Sequence, residues 1–242
     1  MKINEKNFVV QAPIVYLLSL IALALIILAL LVFFSTEKSD GRVIGVATGL
    51  FAGLIIASLQ FLTQYLEQKA LAEYRKHGLV EFQVNRKNTD YYRQLIRDTE
   101  VGDQIIVVGV TCNRLLEDFA NSDVAGSTDL LEALSRGVEV KLLLPKISYL
   151  DKKNQSDFTN KTLEIAGKLK REYPDKFSIR YYDFEPSHSI FLAGSRCIVG
   201  PIFKNISSKD TPAITFDKGG QYIKPYLSYV DETWAGASEA YE

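Results

Sequence analysis

The stretch HSIFLAGS, residues 188–195, sets an imidazole just ahead of an alternating apolar run. Such a histidine can work as a nucleophile or as a general acid and base. The commoner use of a lone histidine at a strand start is structural, held by a hydrogen bond. Other reactive or charged groups follow apolar runs: Thr111, Cys112, Asn113 and Arg114 after one, Lys146 after the next, and Lys204, Asn205, Ser207 and Ser208 beyond a third. These would form a polar, partly cationic rim able to hold an anion, although each cation taken singly is a solvated surface group by default. Cys112 and Cys197 adjoin apolar strands and lack the paired spacing of a metal site, so neither a metal nor another cofactor is expected. Two cysteines make no disulfide framework, which fits a reducing compartment.

The elements that must position these groups read as an α/β domain from residue 79 onward. LVEFQV (79–84) alternates like a strand, and TDYYRQLIRDTE (89–100) has helical spacing with Thr89 as its expected N-cap. QIIVVGV (104–110) and VEVKLLLP (138–145) are near-continuous apolar runs, as in strands buried on both faces. Between them lie two short helices, NRLLEDFA and STDLLEALSRG (127–137). A helix from about 158 to 173 follows, then the strands SIRYYD, SIFLAG, RCIVGP and PAITFD, and an amphipathic helix with Tyr226, Tyr229, Val230 and Trp234. This order predicts a mixed sheet covered by helices on both faces, with ligands beyond the carboxyl ends of its strands. Lys and Arg number 21 there against 24 Asp and Glu, so no global basic field attracts nucleic acid.

Ahead of this domain lie two long apolar runs. Ile14–Phe34 and Val43–Leu62 each reach about the 20 residues that cross a bilayer as a helix. They predict a transmembrane hairpin over 1–66, with helices near 13–34 and 43–66 and a tight turn at 35–42. A helical stalk over 67–78 and a cytosolic domain over 79–242 complete the expected plan. The first run is too long for a signal-peptide core and a second span follows at once. Lys2, Lys6, Lys69, Arg75 and Lys76 flank the pair on one side, which puts both termini and the soluble domain in the cytoplasm beneath the inner membrane. Gly45, Gly49, Gly53 and Ala57 recur every four residues, and Gln60, Gln64 and Gln68 continue the row. That face serves packing against the first helix, or else contact with another subunit or a pore lining.

The phrase DLLEALSRGVEVKLLLP, the element order and the segment from His188 to Phe203 resemble the phospholipase D-like superfamily over about residues 79–238. That family carries His-x-Lys-x4-Asp. Here His188 takes the histidine position, Ile190 the lysine position and Ser195 the aspartate position, while Gly200 and Asn205 lie near the family's glycine and asparagine. The resemblance implies paired motifs, hence dimerisation of a chain with one copy. It also implies a phosphoryl site in which lysine offsets the transition-state charge. With isoleucine and serine in place of lysine and aspartate, the expectation is a pseudoenzyme, unless Arg196, Lys146 or Lys204 supplies the missing charge.

Three functions follow as alternatives. The first is an oligomeric membrane effector, a dimer of dimers, whose degenerate domain binds a nucleotide or oligonucleotide and gates an ion channel. Tyr181, Tyr182 and Tyr226 would offer stacking faces for bases. Such an architecture resembles the membrane effectors of anti-phage defence, in which a partner enzyme synthesises the ligand. The second is an active membrane-bound phosphodiesterase using His188 across a dimer. The third is an oligomerisation scaffold that recruits a partner to the membrane.

Overall fold

A computed structural model describes residues 5–34 and 41–241. The chain divides into two compact units, one ending at Tyr74 and the other running from Arg75. The first holds helix α1 (Glu5–Phe34) and most of α2 (Gly41–Lys76). Among the described residues, Ile44–Lys76 is long and apolar enough to cross a membrane, and Val15–Leu30 is a shorter apolar stretch. The turn expected at 35–42 lies outside the described residues, apart from Gly41 and Arg42, and so does Lys2.

On α2 the residues Phe51, Leu54, Ser58, Phe61 and Tyr65 are half-buried, at the alternating three- and four-residue spacing of one helix face. At 100° per residue this face is centred roughly 140° from the glycine row. Gly45, Gly49, Gly53 and Ala57 are all exposed, and a Cβ added at any of the three glycines would meet nothing within 4 Å. The neighbouring hydroxyls are satisfied within the helix, Thr48 donating to the Ile44 carbonyl at 2.8 Å and Ser58 to that of Leu54 at 2.7 Å. The exposed amides of Gln60, Gln64 and Gln68 bond to no described residue.

The second unit is the expected α/β fold. Its strands are β1 (Leu79–Gln83), β2 (Gln104–Val108), β3 (Glu139–Pro145), β4 (Phe177–Tyr182), β5 (His188–Ala193), β6 (Arg196–Pro201) and β7 (Ala213–Asp217). They form one seven-stranded sheet in the order β1-β7-β6-β5-β2-β3-β4. The pairs β2/β3 and β3/β4 are parallel and the rest antiparallel, as helix crossovers followed by hairpins require.

Helices α3 (Thr89–Arg97), α4 (Asn113–Phe119) and α5 (Asp129–Ser135) and the run from α6 (Lys152–Asp157) through a π-helical turn into α7 (Leu163–Glu172) pack on one face. The core there includes Ile105, Val107, Leu142, Leu144 and Phe191. Helix α8 (Lys224–Gly236) covers the other face, against Val108, Leu143, Tyr182, Ile190 and Val199. This odd–even division along each strand is the direct result of side chains alternating across a sheet.

One local detail differs from expectation, and the glycine that ends α2 stands where a helix stop was expected. The cap of α3 is Asn88, whose side chain accepts from Tyr91 N at 3.2 Å, while Thr89 is the first helical residue. Gly78 closes α2 in the left-handed region at φ 90°, and a Cβ there would stand 2.5 Å from the Gly220 Cα. Only glycine meets both demands. The two arginines of α3 clamp α5: Asp129, in the first turn of α5 and 1% exposed, accepts from Arg93 Nε at 2.9 Å and Arg97 Nε at 2.7 Å.

Candidate functional site

Strand direction decides which of the expected site residues can meet. Val108 pairs with Ile190, His188 with Pro201, and Gln83 with Ala213, so the carboxyl ends of β1, β2, β3, β4 and β6 share one edge with the starts of β5 and β7. Asn113, Arg114, Lys146, His188, Lys204 and Asn205 all stand at this edge. Ser195 and Arg196 do not. Gly194 and Ser195 make the two-residue turn at the far end of β5, where Ala193 pairs with Arg196. Seven residues at about 3.3 Å each put that turn roughly 20 Å from His188. Arg196 is bound there to Asp217 at 3.0 Å. A carboxylate at position 195 would not reach the imidazole on this strand, so Ser195 does not stand where a partner of His188 would be.

His188 is half-buried on the α8 face of β5. Its Nδ1 shares a 2.9 Å hydrogen bond with the Ser187 hydroxyl, and its ring meets that of Tyr226 edge-on at 5.7 Å. No described carboxylate or cation bonds to it. Two residues on, and on the same face, Ile190 is fully buried against Val108 and Val199. An ammonium at that depth would be desolvated at high cost, and the apolar wall provides nothing to offset it.

The cations divide between the faces of the sheet. Arg114 lies with α4 on the face away from α8, donating to the Thr89 hydroxyl at 3.1 Å and to Asp118 at 3.0 Å. Lys204 makes an exposed 3.4 Å pair with Glu185, too solvated to hold either loop firmly. Asn205 is exposed and adopts a left-handed conformation at φ 66°, which asparagine tolerates. Lys146 is half-buried, its backbone N–H bound to the Tyr182 carbonyl at 2.8 Å.

Two buried polar atoms at this same edge lack partners among the described residues: Asn113 Oδ1 and the Tyr182 hydroxyl. Orphans of this kind are uncommon in a folded chain and mark where a bound polar group would be satisfied. Tyr181 and Tyr182, expected as stacking faces, are each 3% exposed and belong to the core. Burial pushes the Tyr181 phenol up to about 12 and raises that of Tyr182 as well. Only Tyr226 of the three has a partly open ring. Burial also pushes both thiols up to about 12, which leaves neither Cys112 nor Cys197 nucleophilic near neutrality.

The surface clefts beside α3 are elsewhere. One of about 760 Å³, lined by Arg97, Thr99 and Arg136 among others, sits on residues already committed to Asp129 or to the carbonyls that end α3. What the sequence did not reveal is Arg86, buried at the strand-end edge in the polar stretch VNRKNTD. A single arginine among polar residues carries no periodic signal of burial.

No family model matches the chain, and no curated protein matches it. A solved structure similar to it is that of TrmBL2, an archaeal chromatin protein described as showing a novel mode of DNA binding, at 13% identity and a TM-score of 0.45, covering 78% of this chain and 70% of that one. A likeness at that level bears on neither the family nor the function of the chain.

Proposed function

We propose that the chain is an oligomeric membrane effector whose α/β domain binds a phosphodiester compound without cleaving it, and whose second helix contributes to a channel. The observation that carries this is the open face of α2: three glycines with nothing within 4 Å, continued by amides that bond to no described residue. In a spanning helix such amides need partners or water, and a glycine row admits a close neighbour. A dimer of dimers, with α1 and α2 of each chain paired as a hairpin, would supply both. The ligand class, a nucleotide or short oligonucleotide, rests on the resemblance to phospholipase D-like domains. Binding without cleavage rests on the uncharged surroundings of His188. An anti-phage effector supplied by a ligand-synthesising enzyme fits this plan, and the cytoplasmic side suits such a signal.

Membrane-potential dye in cells expressing the chain tests the channel. Depolarisation with the parent, lost with Gly49→Leu and Gln60→Leu at equal membrane content, is the expected result. Absence of depolarisation with or without dinucleotide or short oligonucleotide would sink it. Turnover of a generic phosphodiester that disappears in His188→Ala would replace binding by catalysis.

A further inference from the structure

Arg86 joins β1 to α3 and is only 8% exposed. A guanidinium buried that far ordinarily faces a carboxylate, because an uncompensated charge is costly in a dry setting. Arg86 faces none. Its Nε donates to the Ser208 carbonyl at 2.7 Å and its Nη2 to the Thr211 hydroxyl, both neutral acceptors. Its Nη1 bonds to no described residue and is not sealed from solvent.

A second cation reaches the same segment. Arg114 Nη1 donates to the Arg86 carbonyl at 3.3 Å. Burial lowers the Arg86 pKa and the field of Arg114 lowers it further, with the Tyr92 phenol acting in the opposite sense. A guanidinium nonetheless stays charged at neutral pH. Nearby acids are engaged elsewhere, Asp210 with Lys87 at 2.8 Å and Asp118 with Arg114 Nε at 3.0 Å. The strand itself makes room: a Cβ at Gly200 would stand 3.3 Å from Arg86 Cζ and 2.7 Å from the Pro212 carbonyl oxygen.

We propose that Arg86 and Arg114 form an anion site for a phosphate group of the ligand, on the α3–α4 face of the strand-end edge and not beside His188. The ligand's phosphodiester class rests on the binding function proposed above, while the site rests on the two guanidiniums. Phosphate suits them because it offers several acceptor oxygens and enough charge for both, in the forked geometry that arginine presents. Arg86 also fastens the 208–211 loop, and Arg114 also ties Thr89 and the Arg86 carbonyl to α4, so the anion site is a second use of two guanidiniums that already have structural contacts.

The test is titration of inorganic phosphate into the purified full-length chain at constant ionic strength, with chloride as control, read by calorimetry and by melting temperature. Phosphate is expected to bind and to raise the melting temperature. Arg114→Gln should weaken binding at least tenfold. Asp118→Asn, which releases Arg114 Nε, should tighten it severalfold. Arg86→Gln is expected to abolish binding; should it fail to fold, the two surface variants still decide. Phosphate binding that is indifferent to Arg114→Gln and Asp118→Asn would overturn the site. A dinucleotide that binds the parent and Arg114→Gln equally would overturn the site and leave the binding function standing. Arg114-dependent phosphate binding without affinity for any dinucleotide or oligonucleotide would uphold the site and remove the ligand class.

Discussion

At the scale of single residues, the chemistry turns on what stands next to an imidazole. His188 has a hydroxyl and an aromatic edge for company, and Ile190, two residues on along the same face, is fully buried. Introducing the lysine that phospholipase D-like domains carry at the matching position is therefore expected to fail twice. Ile190→Lys should lower stability by about 3–5 kcal/mol, because it removes packed methyls and buries an ammonium without a carboxylate. It should also leave phosphodiester turnover undetectable. Denaturant midpoints and a substrate assay on the same preparation check both, and activity gained without loss of stability would contradict the burial argument. His188→Ala should cost only about 1 kcal/mol, as expected for a half-buried side chain with one neutral hydrogen bond.

At the scale of elements, two junctions hold the α/β unit to one geometry. Gly78→Ala forces a left-handed backbone on alanine and drives a methyl into the Gly220 backbone. A loss of about 2 kcal/mol or more is expected, read as a lower denaturant midpoint. The α3–α5 clamp is different in kind. Asp129→Asn leaves Arg93 and Arg97 to solvent, which already reaches them, so the loss should be about 1–3 kcal/mol and should shrink little in salt because the carboxylate is buried. Melting curves at low and high sodium chloride measure it. On α2, an element with one half-buried face and one open face, Gly49→Leu should leave helix content unchanged while altering the oligomeric state, checked by circular dichroism and cross-linking.

At the scale of the whole molecule, the acids held neutral by burial predict how stability depends on pH. Cys112, Cys197, Tyr92 and Tyr181 are each pushed up to about 12, from ordinary values of 9.0 for the thiols and 10.0 for the phenols. Above pH 9 the unfolded chain releases protons that the folded chain retains. Stability is then complete below the ordinary values and falls as pH rises toward the folded ones. Denaturant midpoints should be level from pH 7 to 8 and should drop steadily between pH 9 and 11. In the native state at pH 8, both thiols should resist iodoacetamide until denaturant is added.

Sequence alone determined the order of strands and helices in the second unit, because alternation, apolar runs and glycine stops are local signals that packing then respected. QIIVVGV and VEVKLLLP became central parallel strands, and the four later strands and the closing helix fell where their patterns put them. Local signals also exposed the apolar length of α2 and its glycine row, though not which face of the helix would be covered. The site was legible only in part. Asn113, Arg114, Lys146, His188, Lys204 and Asn205 lie beyond strand ends, and strand direction gathers them at one edge. Ser195 and Arg196 looked adjacent to His188 in the chain, yet an extended strand carries them to the opposite edge. Tyr181 and Tyr182 looked available and are core, and Arg86, which the sequence did not single out, is buried. Burial, facing and the distance between strand ends depend on which segments pack together, and a linear sequence holds no local trace of that.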